Sequence, residues 1–221
     1  MKQVADGVWQ LSSFPPHSIN TFLIGDVLVD AATRRDGKRI VKELEGHEVN
    51  AHALTHAHPD HQGASKYVCE ELGIPFWVGE KDADAAENPK LIGERQPNHP
   101  IAQLMVKVFT GPGHPVDRKL REGDEVAGFK VLDVPGHSAG HVAFWREEDG
   151  VLIAGDVFNT HNSLTLFPRG IRLPFDFFTP DPARNRESAK RLGALEPKLL
   201  LVGHGPPLRD TKRIVEFCES L

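Results

Sequence analysis

The chain has 221 residues, of which 39% are hydrophobic and 26% are charged, and its formal net charge is −5. This composition excludes a disordered chain, which has too little apolar surface to bury, and argues against a protein that binds nucleic acid through a clustered basic face. Since no apolar run approaches the roughly 18 residues that span a bilayer, we expect one globular domain over residues 1–221 with no membrane partner.

The first half of the chain alternates predicted strands with predicted helices. Branched and aromatic residues predict strands over residues 8–11, 19–24, 27–30, 49–55 and 74–78. Apolar residues at helical spacing predict one helix that ends near Gly46 and another that ends at Gly73. Residues 80–108 are predicted to be mostly helical. Their apolar stripe is interpreted as core packing, and it consists of Ile101, Leu104, Met105 and Val108.

The second half follows the same plan. Strands are predicted over residues 129–134, 142–145, 151–154 and 198–202, and helices from Asp181-Pro182 to about Leu195 and over residues 211–221. Residues 159–178 have no clear period and are predicted to form a long loop. Helices that follow strands in each half fit an α/β (α+β) fold of four layers, in which two sheets pack face to face and helices cover both outer sides.

Twelve histidines are the unusual feature of the composition, and three of them lie within six residues. Residues 56–61 read His-Ala-His-Pro-Asp-His, directly after a predicted strand. Alternate residues of an extended chain point the same way, so His56 and His58 can hold one ion. Asp60 and His61 can face a neighbouring ion where the chain turns. Nitrogen and oxygen donors of this kind suit Zn²⁺, and a catalytic zinc site keeps one position open for water.

Three later segments each end an apolar run on a side chain that can bind metal. Residues 132–137 end on His137, residues 152–156 end on Asp156, and residues 199–204 end on His204. A glycine precedes each of the three and permits close approach of the backbone. One such strand end is uninformative. Four segments that share one ligand chemistry favour a metal centre over a solvated loop rich in histidine.

On these motifs the chain resembles the metallo-β-lactamase superfamily from about Asn20 to Pro207. The His-x-His-x-Asp-His motif and the later Pro-Gly-His, Gly-Asp and Gly-His segments occur in the order found in that family. The resemblance implies a four-layer αββα sandwich with metals at one edge of the two sheets. It therefore agrees with the layers expected from the order of strands and helices.

The resemblance also implies a ligand set for two ions. His56, His58 and His137 would bind the first metal, Asp60, His61 and His204 the second, and Asp156 would bridge both. The implied cofactor is a pair of zinc ions, with iron or manganese as alternatives. Asp60 is the expected catalytic residue, which orients the nucleophile or passes a proton to the leaving group. Asp30 either orients a ligand histidine or simply ends a strand.

The implied activity is hydrolysis of an ester, thioester or lactone of a small molecule, as in the glyoxalase II-like and lactonase-like branches. Only residues 208–221 follow Pro207, so we expect no C-terminal helical domain of the glyoxalase II-like kind. The alternative within the family is a persulfide dioxygenase-like oxygenase, which uses one iron held by two histidines and an aspartate. The oligomeric state stays open.

A serine hydrolase is a competing hypothesis from another catalytic class. Residues 136–140 match Gly-x-Ser-x-Gly with Ser138 as the nucleophile, and Asp156 and His204 follow in the order of the α/β-hydrolases. That nucleophile needs a helix directly after the serine, where a strand is predicted here. The hypothesis also leaves the motif at residues 56–61 without a purpose. We therefore interpret Ser138 as a residue that hydrogen-bonds within its own turn.

Residues outside these motifs receive structural interpretations. Cys69 and Cys218 are too few for a disulfide framework in a chain of this length, so two buried thiols in a reducing compartment are expected. The N-terminal residues lack the apolar segment of a signal peptide, and we expect a cytoplasmic protein. His141, which precedes a predicted strand, is interpreted as structural.

Overall fold

The first half of the chain builds a seven-stranded sheet whose strands lie in chain order. These strands are β1 (Lys2–Ala5), β2 (Val8–Gln10), β3 (Phe22–Ile24), β4 (Val27–Val29), β5 (Ala51–Ala53), β6 (Phe76–Gly79) and β7 (Arg118–Leu120). Strands β1 to β4 pair antiparallel, with tight turns between β1 and β2 and between β3 and β4 and a longer connection over residues 11–21 between β2 and β3. Strands β4 to β7 pair parallel because helical crossovers connect them. The crossovers contain α1 (Gly37–Leu44), α2 (Pro59–Gln62), α3 (Ser65–Leu72), α4 (Ala83–Glu87), α5 (Lys90–Arg95) and α6 (Pro100–Phe109).

The second half supplies a five-stranded sheet. It begins with β8 (Glu125–Val126), β9 (Phe129–Asp133), β10 (Val142–Arg146) and β11 (Val151–Ile153). A separate antiparallel pair follows, β12 (Asn159–His161) with β13 (Pro168–Arg172), and then α7 (Pro182–Gly193). Strand β14 (Leu199–Leu201) joins the sheet parallel to β11, and α8 (Thr211–Glu219) is the last helix. The computed structural model describes residues 1–161, 165 and 168–221, without the side chains of residues 168 and 169.

The strands are apolar on both faces because each sheet is covered on both sides. In β4, Val27 and Val29 belong to the core between the two sheets, while Leu28 belongs to the core under the helices. Strand β11 repeats the pattern, with Val151 turned inward and Leu152 outward. Successive side chains of a strand point to opposite faces, so a strand between two layers has no polar side.

Helices close both outer sides of the sandwich. Ile40 of α1 and Val68 of α3 are buried against the first sheet, and Leu192 of α7 and Ile214 of α8 against the second. Helix α3 ends at Gly73, which adopts the left-handed conformation (φ +65°) that stops a helix. The structure thus confirms the predicted four-layer αββα fold. None of the helices among the described residues is long and apolar enough to cross a bilayer.

Two predictions about local structure are wrong. Residues 159–178 are not one long loop, because β12 and β13 pair with each other and residues 176–178 form a 3-10 turn; residues 162–164, 166 and 167 of this segment lie outside the described part. The apolar stripe of α6 does not belong to the core. The only buried residue of this helix is Ala102, which is not part of the predicted stripe, and Leu104 of the stripe is 58% exposed. Periodicity shows that a helix has an apolar side but not what covers that side.

Candidate metal centre

The four segments with potential ligands meet at one edge of the two sheets. The motif at residues 56–61 follows β5 and forms the start of α2, while His137, Asp156 and His204 follow β9, β11 and β14. Their donor atoms form three groups, each with all atoms within 4.8 Å of one another. These groups are His56 with His58 and His137, Asp60 with His61 and His204, and His56 with His61 and Asp156. All seven residues expected from the sequence are therefore together.

Asp156 lies between the first two groups. Its Oδ2 is 3.4 Å from His137 Nε2 and 3.1 Å from His204 Nε2, and its Oδ1 is 3.5 Å from His61 Nε2. Asp60 Oδ2 is 3.2 Å from the same His204 nitrogen. One carboxylate thus faces histidines of both groups, which is the arrangement that a bridging ligand requires.

The histidine rings are held by hydrogen bonds on the side away from this centre. The Nδ1 atoms of His56 and His137 lie 3.0 Å from Thr55 Oγ1 and 3.1 Å from Thr179 Oγ1. His204 Nδ1 contacts the Ser18 carbonyl oxygen at 2.5 Å. In each ring this leaves Nε2 for the centre, as is usual for metal-binding histidines whose second nitrogen is fixed by the protein.

Asp30 holds a ring in the same way. Its Oδ2 lies 2.8 Å from His61 Nδ1, and its carboxylate also accepts hydrogen bonds from the N–H and hydroxyl of Thr55. Asp30 is buried at the end of β4 with φ +63°, a left-handed conformation that is uncommon outside glycine but that aspartate adopts more often than most residues. Of the two interpretations left open from the sequence, the contacts support the residue that orients a histidine.

Three buried donor atoms at this centre have no hydrogen-bond partner among the described residues. They are His56 Nε2, His61 Nε2 and Asp156 Oδ1. A buried polar atom without a partner costs about 1–3 kcal/mol, so three that converge on one place indicate a site suited to a cation rather than a packing fault. Imidazole nitrogens with carboxylate oxygens are donors that Zn²⁺ and other first-row ions accept. The residues present therefore fit a metal centre.

The two groups of ligands have different electrostatics. Burial and the neighbouring imidazoles keep the pKa values of His56 and His137 well below the usual range, so both rings are neutral. Burial also opposes a charge on His61, but Asp30 and Asp156 outweigh it and raise the pKa of His61 to about 10. The pKa of His204 is raised in the same way: burial lowers it, but Asp156 and Asp60 outweigh burial and hold it well above the usual range. The carboxylates thus concentrate negative potential where the second group lies.

Gly203 shows how closely the backbone approaches the centre. A Cβ atom at this position would lie 2.0 Å from Asp156 Oδ1 and 2.6 Å from His61 Cε1. Both distances are far below a van der Waals contact, so only glycine fits between the two groups. The Gly-His segment at residues 203–204 is therefore explained by close approach, as expected from the sequence.

Asp82 is a site residue that the sequence analysis missed. It is buried at the start of α4, and its Oδ2 accepts hydrogen bonds from Ala57 N–H at 3.0 Å and Ser138 Oγ at 2.5 Å. Its Oδ1 accepts a hydrogen bond from Gly140 N–H at 2.7 Å. The only signal in the sequence is an aspartate soon after a strand, which is too common to single out.

These contacts correct the interpretation of Ser138. Its hydroxyl does not bond within its turn but to a carboxylate 56 positions away in the chain. In the described part of the chain the Ser138 hydroxyl bonds to Asp82 and not to a histidine. Strand β10 then follows where a nucleophile elbow needs a helix. The serine hydrolase hypothesis therefore lacks its base and its geometry.

His141 lies behind the centre. Its Nε2 accepts a hydrogen bond from Asp156 N–H at 3.3 Å, and its ring centroid is 4.6 Å from that of His56. Burial lowers the pKa of His141 to about 3, so the ring is neutral and can accept. A histidine that supports the backbone of Asp156 is in keeping with the structural interpretation.

A cavity of about 350 Å³ opens directly above the donor atoms. Five of the seven candidate ligands form its floor: His58, Asp60, His137, Asp156 and His204. The volume lies at the lower end of the range for small-molecule sites in proteins. A metal centre at the bottom of a cavity is accessible to a small ligand and partly shielded from bulk water.

Comparison with known proteins identifies the family. The family model described as "Metallo-beta-lactamase superfamily" matches residues 14–204. The chain belongs to the metallo-β-lactamase superfamily. YflN of Bacillus subtilis, named a probable metallo-hydrolase, is 30% identical over 216 residues, which cover 87% of this chain and 77% of the relative. This metallo-β-lactamase-fold chain is accordingly an enzyme, a metal-binding hydrolase.

The chain is also similar to one further named protein and to two solved structures. The hydroxyacylglutathione hydrolase GloC of Haemophilus influenzae is 30% identical over 143 residues, which cover 61% of this chain and 63% of GloC. The solved structure of TTHA1623 in a di-iron-bound form has a TM-score of 0.65 and 28% identity, and covers 95% of this chain and 91% of that one. The metallo-beta-lactamase family protein TTHA1429 of Thermus thermophilus reaches a TM-score of 0.69 at 26% identity, with 99% and 80% coverage.

Proposed function

We propose that this chain is a dinuclear metal-dependent hydrolase that cleaves an ester, thioester or lactone bond of a small molecule. The observation that carries the proposal is the position of Asp156, whose oxygens face histidines of two separate ligand groups. A carboxylate shared by two cations offsets their mutual repulsion. In the proposal His56, His58 and His137 would hold one ion, Asp60, His61 and His204 would hold the other, and Asp156 would be shared by both.

Zinc is the proposed metal, because neutral imidazole and carboxylate are ligands that it prefers and it has no redox chemistry to control. A bound pair of divalent ions lowers the pKa of water and polarises a carbonyl or phosphoryl oxygen. The protein's part is to present neutral nitrogens, a role that burial gives to His56 and His137 by lowering their pKa values. The Thr55 and Thr179 hydroxyls contact Nδ1 of His56 and His137 and so keep the Nε2 atom of each ring directed at the metal centre.

Asp60 is the residue we assign to proton transfer. It lies at the floor of the cavity, and its Oδ2 is 3.2 Å from His204 Nε2. An ionised carboxylate in this place can orient a nucleophilic water and accept its proton. It can then return the proton to the departing alkoxide or thiolate, the usual duty of a general acid and base.

The named relatives support acyl transfer to water. GloC is named as a hydroxyacylglutathione hydrolase, an activity on a thioester, and it shares 30% identity with this chain. We propose that this chain catalyses the same type of reaction, and we make no assignment of the same substrate.

We also propose that residues 1–221 form one domain, since Val4 near one end and Leu201 near the other belong to one core cluster. A cytoplasmic location stays a prediction.

A mononuclear iron oxygenase is the second candidate. The group of His56, His61 and Asp156 consists of two histidines and one carboxylate, a set that non-haem iron oxygenases use. This candidate leaves four of the seven candidate ligands without a metal, although all four line the floor of the cavity: His58, Asp60, His137 and His204. We therefore rank the dinuclear hydrolase first.

Metal analysis with a substrate panel separates the two candidates. The protein purified without chelators should contain about two divalent ions per chain and hydrolyse at least one of a simple ester, a thioester and a lactone. Chelator should abolish the hydrolysis, and Zn²⁺ should restore it. About one iron per chain with O₂ uptake on a persulfide would establish the oxygenase instead. Two ions without hydrolysis of any of the three substrates would overturn the proposed reaction.

A further inference from the structure

Helix α6 has more apolar surface than the fold uses. Seven of its ten residues, Pro100–Phe109, are large apolar side chains or proline, yet Ala102 is the only buried residue. Ile101 is 38% exposed and Leu104 is 58% exposed. A helix normally turns its apolar stripe to the core, and contiguous exposed apolar surface marks a binding site in many proteins.

One face of α6 forms a wall of the cavity above the metal centre. Ala102, Met105, Val106 and Phe109 line it, and their spacing of three, one and three residues places them on a single helical face. Helix α6 packs against α2, which carries Asp60 and His61. The apolar face therefore begins beside the proposed reacting centre.

Other segments of the chain also contribute apolar residues to the cavity. Ile19, Pro174 and Phe178 line the cavity from other segments, and Phe14 stands at its mouth with 94% of its surface exposed. Four large apolar residues are exposed in the described part of the chain: Met1, Phe14, Ile101 and Leu104. Three of these four belong to the two segments that line this cavity, so the apolar surface continues from the cavity to its rim.

The charges of the lining do not favour an anionic group in this part of the cavity. Arg39 is the only arginine or lysine among the described lining residues. Its guanidinium is held by Asp36 Oδ1 at 3.0 Å and by Glu43 Oε1 at 3.2 Å. A cation that is already shared by two carboxylates has little to offer a further negative charge, so an anionic group beside α6 is disfavoured.

We propose that the apolar face of α6 and the apolar lining residues of the other segments bind the acyl portion of the substrate, and that the enzyme acts on esters or thioesters of extended hydrophobic acids. The inference rests on the proposed function for the reacting bond. The metal centre takes the carbonyl end, and the hydrocarbon runs along Met105 and Val106 towards Phe14 and Leu104. Removal of this hydrocarbon from water supplies binding energy that a short acyl group lacks.

Binding of linear carboxylates, the products of such a reaction, tests the site without reference to catalysis. We would titrate the purified protein with acetate, butanoate, hexanoate, octanoate and decanoate by calorimetry. The carboxylate is constant, so the hydrocarbon alone changes. Affinity should rise about twofold to fourfold per methylene until the cavity is filled, in line with burial of apolar surface. Equal affinity for all five acids would overturn the proposal.

Two matched variants of α6 locate the site. Val106→Thr places a hydroxyl in the wall and should weaken octanoate binding at least fivefold, since a hydroxyl without a partner resists burial. Acetate binding should change by less than twofold. Val108→Thr makes the same substitution on the same helix, at a half-exposed residue outside the cavity lining, and should leave octanoate binding unchanged. Equal losses in both variants would contradict the assignment.

Hydrolysis of p-nitrophenyl esters of the same acids separates this inference from the proposed function. If kcat/KM rises with chain length and falls selectively in Val106→Thr, both stand. Hydrolysis that is independent of chain length, together with flat carboxylate binding, would remove the acyl site and leave the hydrolase. Carboxylate binding that depends on chain length, without hydrolysis of any ester, would keep the acyl site and remove the proposed hydrolase activity. Melting temperatures within a few degrees of the wild type show that the variants fold.

Discussion

His61 Nδ1 lies 2.8 Å from Asp30 Oδ2, and both side chains are buried. Asp30 also accepts hydrogen bonds from Thr55, the residue before the His-x-His-x-Asp-His motif. The end of β4 and the segment after β5 are thus fixed to each other through a single carboxylate. This pair sets the orientation of a proposed ligand and also its proton affinity.

Metal binding should release protons and strengthen as the pH rises. Burial opposes a charge on His61, but Asp30 and Asp156 raise its pKa to about 10, so the ring holds a proton at neutral pH. A metal ion must displace that proton, so affinity should increase about tenfold per pH unit for each proton released. Zn²⁺ titration of chelator-treated protein at pH 6.5 and pH 8, in buffers of different ionisation enthalpy, measures both effects. An affinity that does not change with pH would contradict the prediction.

Asp82→Asn should weaken metal binding at least tenfold. Asp82 accepts hydrogen bonds at both carboxylate oxygens, from Ala57 and Ser138 at one and from Gly140 at the other. An amide must turn a donor towards one of these groups, so one of the two ligand segments loses its support. Loss of a residue that orients metal ligands typically costs 10- to 100-fold in affinity or activity.

The control for Asp82→Asn is Asp84→Asn on the same helix. Asp84 is exposed and pairs with Arg95 at the surface, where such pairs contribute little. Asp84→Asn should leave the Zn²⁺ affinity within twofold of the wild type. A similar loss in both variants would mean that α4 is merely destabilised.

Ser138→Ala should lower kcat/KM less than tenfold. The hydroxyl supports Asp82 but does not touch the floor of the cavity, and Asp82 keeps its two backbone donors. A nucleophilic serine behaves differently, because its removal costs several orders of magnitude. Kinetics with the substrate of the panel that is turned over, and labelling by a fluorophosphonate, decide the matter. A thousandfold loss with labelling of the wild type would revive the serine hydrolase.

Asp60→Ala should lower kcat at least a hundredfold while the fold is kept. The carboxylate faces the cavity from α2 and contacts His204, so its loss removes a proposed metal ligand and the proton acceptor together. Asp36→Asn, at a second carboxylate that lines the cavity away from the ligand groups, should cost less than tenfold. Steady-state kinetics and circular dichroism measure the two effects, and similar losses in both variants would remove Asp60 from its role.

Cys69 and Cys218 should not react with Ellman's reagent in the native protein. Both are free and buried, as expected from the sequence, and burial raises their pKa values to about 12 and about 11. A thiol reacts through its thiolate, which is scarce at pH 8 for both residues. Two thiols should appear in denaturant. Rapid reaction of either in the native state would contradict their placement.

The sequence by itself was enough to predict the layers and to single out the candidate ligands. Each of the four segments that carry the proposed ligands follows an apolar run and contains a glycine or a proline, so its place at a strand end can be recognised from a few neighbouring residues. The αββα order can be recognised for a similar reason, since strands such as Val27–Val29 and Leu199–Leu201 are apolar throughout and must lie between two layers.

Only the tertiary structure decided which residues support and surround that centre. Asp82 joins Ala57 to Ser138, and Asp30 reaches His61, because distant segments meet at one edge of two sheets. No local pattern contains such a contact, so the sequence alone suggests a partner for Ser138 only within its own turn. Likewise the apolar residues of α6 resemble any core stripe until the packing shows that a cavity, and not a sheet, lies beneath them. Local propensity fixes where a side chain leaves the backbone, and long-range packing alone fixes what it meets.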